Sequence, residues 1–523
     1  MADRDVTSID LKDVELRDGS PEEQEEQQHR QQEEEEGDAE KVLMNTPGDA
    51  NGAAAKLDDG ASPAARFTGL TKEELLKIST QPFWIRTRLA LLVLFWLGWL
   101  AMLAGAVAII VQAPRCKPEP PRDWWQLTAV YDVSTAAFAD NNGAGKGDVR
   151  GVQSRLDYLK QLNVRAMVMQ LIPEDSATTR QEVNFTNVDV RYGRLDELQK
   201  LMTEARRKDI KIILDMFPAK WFSNGTSGTT KMREEMKKAL KFWMEQGIAG
   251  FRIGVEGLGE KEEVNDLFEE WHNVTSTYST EDKERRVLIA DARQDSDLAE
   301  YLVENGNADL PVVYDLRKLS ANSTETDVHN LVKSLIMKAA NKSIGLAIGG
   351  RNGYLATKNP GLNRALGVLL LTLPGTPFIY YGDEIGLRDF EGAEIPMPWN
   401  DSSGIVNVKS QETHKHNSTL LLYRNLAKLK WSESAAKFGD FNFTLIEGGV
   451  FAFQLVWDQS PRLIILFNLG STQQTLDLVK EHKLPATASV VGSSTLHRLG
   501  DVDLSKLQLE PMEALVLKYN YVA

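Results

Sequence analysis

Cysteine is nearly absent: the 523 residues contain one, Cys116. It has no partner in its own chain, so it reads as half of a bridge to another protein, the alternatives being a free or palmitoylated thiol. Histidine is scarce too, seven in all, with no metal-ligand spacing; His414 and His416 stand two apart and read as solvated. No metal and no cofactor is expected. A basic excess is also missing. The formal net charge is −15, and residues 1–83 hold most of it, with 21 acidic against nine basic side chains, which leaves −3 for the remainder. Nothing here invites a nucleic acid. The glycine-rich run 143–151 lacks the lysine-serine ending of a P-loop and reads as a plain loop.

One segment lacks charge altogether. Leu89–Val111 holds 23 residues without an ionisable side chain, about 35 Å of helix against a bilayer core of about 30 Å. A signal peptide would be shorter and nearer the start, and a soluble core helix is rarely apolar all round for this length. The segment therefore reads as a membrane anchor, with Trp84, Trp96 and Trp99 as interfacial candidates. Flanking positive charge is nearly balanced, with Lys72, Lys77, Arg86 and Arg88 before the segment and Arg115, Lys117 and Arg122 after it. Orientation follows instead from the eight N-x-Ser/Thr sequons at Asn184, Asn224, Asn273, Asn322, Asn341, Asn400, Asn417 and Asn442. All lie beyond the segment, and glycans are added on the lumenal side, so the N-terminus is expected inside and the C-terminus outside. Within the segment Gly98, Ala101, Gly105 and Ala108 share one face, which lets a second membrane helix approach closely.

The tail before the segment is rich in glutamate and glutamine and has too little apolar surface to fold. Nearer the membrane, Thr71-Lys-Glu-Glu74 matches a capping box and opens a short helix. Beyond the segment, strand-like and helical patterns alternate. Leu127–Tyr131, Val164–Ile172, Ile210–Asp215, Gly250–Ile253, Val287–Ala290 and Pro377–Tyr381 read as strands; Val152–Leu162, Leu195–Arg207 and Lys231–Gln246 read as helices. This rhythm implies an α/β fold, a parallel sheet covered by helices, and the number of units favours a closed eight-fold (β/α)8 TIM barrel. After Trp431 the pattern changes to strands separated by turns, such as Val450–Val456, Leu463–Phe467 and Ala514–Leu517, which implies a small C-terminal antiparallel β-domain. The expected division is an acidic tail over 1–83, a transmembrane helix over 84–112, a neck over 113–123, the barrel over 124–430 and a β-sandwich over 431–523.

Several long runs resemble the alpha-amylase family. They are Gly143-Ala-Gly-Lys-Gly-Asp-Val-Arg-Gly151 with Leu156-Asp-Tyr-Leu-Lys160, the run Leu370–Leu387 and Pro396-Met-Pro-Trp399. The resemblance covers 124–523 and implies a barrel followed by a β-domain. It also implies where the catalytic groups should stand, and there the chain departs from the family. A retaining glycosidase needs a carboxylate nucleophile and a carboxyl acid/base. The family's nucleophile is an aspartate two residues after a strand-four arginine; this chain has Arg252-Ile-Gly254. The acid/base glutamate after strand five is matched best by Asp291, one methylene shorter. The His-Asp pair after strand seven meets only Ala347-Ile-Gly-Gly-Arg351, and the strand-three motif keeps Asp215 but has Ala219 and Lys220. The stretch between Asp215 and Gly250 is too short for the family's inserted domain and its calcium ligands.

An anchored, amylase-like chain without its catalytic set resembles the 4F2-type heavy subunits of heteromeric amino-acid transporters. That resemblance implies that Cys116 bridges to a multi-span light chain which carries the amino acids, and that the heavy subunit escorts and stabilises it at the plasma membrane. It further implies association with integrins. The competing reading is an active cell-surface glycoside hydrolase with relocated carboxylates drawn from Asp215, Glu256 and Asp291. Asp383 and Glu384 are neighbours on one strand end and cannot both face a site.

Overall fold

In the computed structural model the described residues are 72–112, 116–141, 143, 145–172, 184–218, 230–279, 285–293, 296–339, 343–351, 353–389, 395–400, 406–414 and 418–521. The acidic tail and Thr71 of the expected capping box lie outside them. The chain divides into two units, Met1–Ala113 and Pro114–Ala523.

The first unit contains the helices Lys72–Ser79 and Pro82–Gln112. The hydroxyls of Ser79 and Thr80 bond back to the Leu76 carbonyl and close the shorter helix. Pro82 opens the longer one, a position where its missing N–H is not needed. With 31 residues this helix exceeds the apolar segment by including Arg86 and Arg88 in its first turns. Among the described residues it is the one helix long and apolar enough to cross a membrane. Gly98, Ala101, Gly105 and Ala108 all lie on it, and a methyl group added at Gly98 or Gly105 would meet nothing within 4 Å.

The second unit is built on a closed barrel of eight parallel strands: β1 Val130–Val133, β2 Ala166–Met169, β3 Lys211–Met216, β4 Gly250–Gly254, β5 Val287–Asp291, β6 Leu310–Val313, β7 Gly345–Ala347 and β8 Thr376–Tyr380. Neighbours in sequence pair in order, and β1 pairs with β8 through Val130 and Phe378. Alternate side chains point inward. The inward set forms one apolar cluster that includes Val130, Val168, Ile213, Val287, Ile289, Leu310, Val312 and Phe378. The outward set, such as Tyr131, Met167, Leu214, Phe251 and Leu288, packs against the surrounding helices. Helix Leu195–Arg207 shows the logic: Leu198, Leu201, Met202 and Ala205 are buried on one face, while the Glu197 carboxylate accepts the Arg194 N–H at 3.0 Å and closes its start.

Two readings from the sequence change in detail. Leu127 belongs to a 3-10 turn, Trp124–Leu127, that plugs the N-terminal end of the barrel; Trp125 is buried there, and its carbonyl accepts the Thr376 hydroxyl at 2.8 Å. Val152–Leu162 is two short helices, Val149–Ser154 and Leu156–Gln161, broken where Arg155 leaves helical geometry and lays its guanidinium on Trp399. The leucine spacing survives because both pieces bury the same side. Gly151 is needed in the first piece, since a Cβ there would fall 1.8 Å from the Ala139 carbonyl oxygen.

The C-terminal strands are β9 Asp440–Glu447, β10 Val450–Val456, β11 Arg462–Asn468, β12 Gln474–Leu476, β13 Thr487–Ser493, β14 Asp501–Asp503, β15 Leu507–Leu509 and β16 Ala514–Tyr519. Six form an antiparallel sheet in the order β14-β13-β16-β11-β10-β9, and β12 pairs with β15 separately. One face of the large sheet, with Phe451, Phe453, Phe467 and Val516, joins the barrel's outer core. The other, with Ala452, Ile464, Leu466 and Leu517, packs on Leu478, Leu507 and Leu509. The two layers are therefore unequal, a full sheet against a two-stranded ribbon.

Candidate functional site

Four barrel strands carry one or two inward apolar residues and then, at their C-terminal ends, an inward polar one. Ile213 is followed by Asp215, Val287 and Ile289 by Asp291, Leu310 and Val312 by Tyr314, and Val130 by Asp132. These ends form the face where (β/α)8 enzymes place their chemistry. Here they enclose a buried charge lattice. Arg252, 1% exposed, donates to Asp132 at 2.6 and 3.0 Å and to Asp215 at 2.8 and 2.7 Å. Arg351 donates to the same Asp215 oxygen at 2.8 Å. Asp291, fully buried, accepts Arg293 at 3.0 Å and the Tyr314 hydroxyl at 2.8 Å, with Arg252 3.8 Å away. Three guanidinium groups thus face three carboxylates. Arg252 and the carboxylates are buried and Arg293 and Arg351 are largely so, which makes the charges depend on one another.

Gly254 stands opposite Asp291 in the β4–β5 register. A Cβ built on it would rest 3.4 Å from Phe217 and 3.8 Å from the Glu256 carboxylate, so the position has room for a side chain. Phe217 lies over this spot with Arg351 at 4.5 Å and Arg293 at 5.5 Å from its ring. Burial pushes the Asp291 carboxyl up, but Arg293, Arg252 and the Tyr314 hydroxyl outweigh it and hold it below its ordinary value. Glu256 is half-buried and accepts the Arg293 backbone N–H at 2.6 Å; burial and the Asp291 charge raise its pKa. Asp383 and Glu384 are both buried elsewhere: Asp383 accepts the Leu355 N–H at 2.8 Å and Glu384 accepts the hydroxyls of Tyr131 and Tyr158 at 2.7 and 2.6 Å.

The structure thus brings Asp215, Arg252, Gly254, Glu256, Asp291 and Arg351 together. Ala219 and Lys220 lie outside the described residues. Sequence reasoning missed Asp132, Phe217, Arg293 and Tyr314. The polar residue closing each inward apolar series marks Asp132 and Tyr314; Phe217 and Arg293 carry no such signal.

The neck is a second site. Cys116 is exposed. Next to it the Lys117 N–H donates to Asp458 at 2.9 Å, and the Lys117 ammonium sits 4.6 Å from the centre of the Trp457 ring. Further along, Asp123 accepts two bonds from Arg285, each at 2.9 Å, and Arg285 also reaches Asp309. Of the sequon asparagines, Asn184, Asn273, Asn322, Asn400 and Asn442 are exposed, while Asn224, Asn341 and Asn417 lie outside the described residues. Among the described residues no three histidine, cysteine, aspartate or glutamate side chains converge to hold a metal.

Residues 54–131 match the family described as solute carrier family 3 member 2 N-terminus, and residues 132–224 and 226–425 match the alpha amylase catalytic domain. The chain is 33% identical to the amino acid transporter heavy chain SLC3A2 of Oryctolagus cuniculus, covering 99% of both, and 32% identical to that of Mus musculus, again with 99% of both covered. Among solved structures, the trehalose-6-phosphate hydrolase of Bacillus licheniformis superposes with a TM-score of 0.63 at 16% identity, over 76% of this chain and 100% of that one. That likeness is one of fold.

Proposed function

The chain belongs to the solute carrier family 3 member 2 amino acid transporter heavy chains, and from that premise we propose that it is a non-catalytic heavy subunit, linked by a disulfide from Cys116 to a multi-span light chain that conducts the amino acids. The observation that carries this reading is the exposed, unpaired Cys116 beside a backbone fixed to Asp458. The thiol is accessible and its neighbourhood is held in place, as a covalent handle requires. A tether of this kind raises the effective concentration of weaker contacts to about the millimolar range. Helix Pro82–Gln112 spans the plasma membrane once, N-terminus inside, and its face of Gly98, Ala101, Gly105 and Ala108 packs against the light chain. The eight sequon asparagines are the glycan sites on the outer side.

Catalytic silence is part of the proposal. Gly254 supplies no nucleophile. A general acid needs a raised pKa, whereas Asp291 is held low. The raised pKa of Glu256 beside Asp291 is the one observation that favours the competing hydrolase; turnover of an aryl glucoside, abolished by Asp291→Ala, would establish it. Association with integrins is a compatible proposal resting on the resemblance, and deletion of residues 1–71 separates the roles if it alters cell spreading while sparing transport.

The principal test is a pair of measurements. Cys116→Ser removes a high-mass band that reductant also removes from the wild type, while part of the complex survives through noncovalent contacts. The full chain reconstituted alone in liposomes moves no leucine. A wild-type band unchanged by reductant refutes the bridge, and leucine uptake by the lone chain refutes the division of labour.

A further inference from the structure

A small cavity of ≈ 100 Å³ lies between the N-terminal end of the barrel and the C-terminal sheet. Three of its lining side chains are cationic: Arg122 from the neck, Lys430 from the last turn of helix Thr419–Ser432, and Lys437 from the helix Ser434–Phe438. Gln126, Ser343 and Thr376 add polar groups, and no carboxylate lines it. Among the described residues none of the three cations has a carboxylate at ion-pair distance. Lys430 is 3% exposed, and its ammonium donates to the Leu373 carbonyl at 2.6 Å, which uses one of three donors. A buried ammonium without a counter-charge, with the exposed Arg122 close by, is a costly arrangement. An anion in the cavity removes that cost. The space holds several waters at about 10–15 Å³ each, which suits one tetrahedral oxyanion.

We propose that this cavity binds a tetrahedral oxyanion of phosphate or sulfate size, held by Lys430 with Arg122 and Lys437. The bound charge joins the neck to the two helices beneath the barrel. Because Arg122 lies on the same neck as Cys116, occupancy steadies the segment that carries the thiol. The site is independent of the transporter reading, since it needs neither the bridge nor a light chain.

The test uses the full chain in detergent micelles, with inorganic phosphate against chloride at matched ionic strength. The expected result is saturable binding of one phosphate per chain and a raised thermal midpoint. Both effects weaken by roughly tenfold or more in Arg122→Ala/Lys437→Ala, two changes outside the buried core. A second arm places the chain in nanodiscs of phosphatidylglycerol or phosphatidylcholine. A variant-sensitive shift in phosphate assigns a free ion; one confined to phosphatidylglycerol assigns a lipid headgroup to the same site. No saturable effect in either arm, or an equal effect in the double variant, overturns the proposal.

Discussion

The backbone N–H of Lys117 donates to the carboxylate of Asp458 across 341 residues of sequence. The contact lies one residue beyond the exposed thiol of Cys116, on the turn between β10 and β11. It means that the β-domain, last in sequence, fixes the start of the second unit. Hydrogen bonds to charged acceptors contribute about 1.5–3 kcal/mol, less at an exposed site. Asp458→Ala is therefore expected to loosen the neck and slow re-formation of the proposed Cys116 disulfide after reduction by several-fold, with the global thermal midpoint nearly unchanged. Timed non-reducing gels after removal of reductant measure this. An unaltered rate would mean that the neck needs no anchor there.

Arg252 is the centre of the barrel mouth, and its loss strips Asp132 of its ion pair and leaves Asp215 with Arg351 alone. Removing one partner of a buried pair costs about 3–5 kcal/mol. Arg252→Met is expected to lower the unfolding free energy by that order. Adding Asp132→Asn and Asp215→Asn to the same chain should recover much of it, because the buried carboxylates go with the arginine and the part-exposed Arg351 keeps access to water. Denaturant midpoints of the single and triple variants decide the matter; equal midpoints would show that the lattice carries no coupled charge energy.

Restoring the missing nucleophile should not restore hydrolysis. Gly254→Asp places a carboxylate where a Cβ is tolerated, 3.4 Å from Phe217. The opposing Asp291 remains ionised by Arg293, Arg252 and Tyr314, so no proton is available there for a leaving group. Aryl glucoside turnover by Gly254→Asp is expected to stay at background. A measurable rate would show that a second carboxyl, with Glu256 the candidate, supplies the acid.

The parts of this structure legible in the sequence are those set by local periodicity. Leu195–Arg207 and Val450–Val456 each match their element residue for residue. Errors arose where tertiary packing overrode the local pattern. Leu127 continues an apolar run into β1, yet Trp125 must plug the barrel, so the chain turns first. The helix over 152–162 breaks because Arg155 stacks on Trp399, more than two hundred residues away. At the mouth, Gly254 and Asp291 stand where the alpha-amylase resemblance implies the nucleophile and the acid/base. Their neighbours Phe217 and Arg293 sit past the strand ends, where side-chain direction follows loop geometry and no spacing rule reaches.

Lys430 gives the last prediction. Burial, reinforced by Arg122, lowers its pKa from 10.5 to about 7. The charged groups around it are Arg122 on the neck and Lys437 on the following short helix, with no carboxylate lining the same cavity. In the unfolded chain the amine keeps its ordinary value. Between about pH 7 and 10.5 the unfolded state therefore binds more protons, and stability rises with pH across that window. Below it the penalty is constant, at most about 5 kcal/mol from the size of the shift. Lys430→Met removes this penalty and gives up the bond to the Leu373 carbonyl, worth about 0.5–1.5 kcal/mol. In phosphate- and sulfate-free buffer the variant is expected to exceed the wild type by a few kcal/mol near pH 6.5, with the gap narrowing toward pH 10. Denaturant titrations across that range at constant ionic strength provide the check, and a gap independent of pH would show that the buried amine does not titrate between the two states.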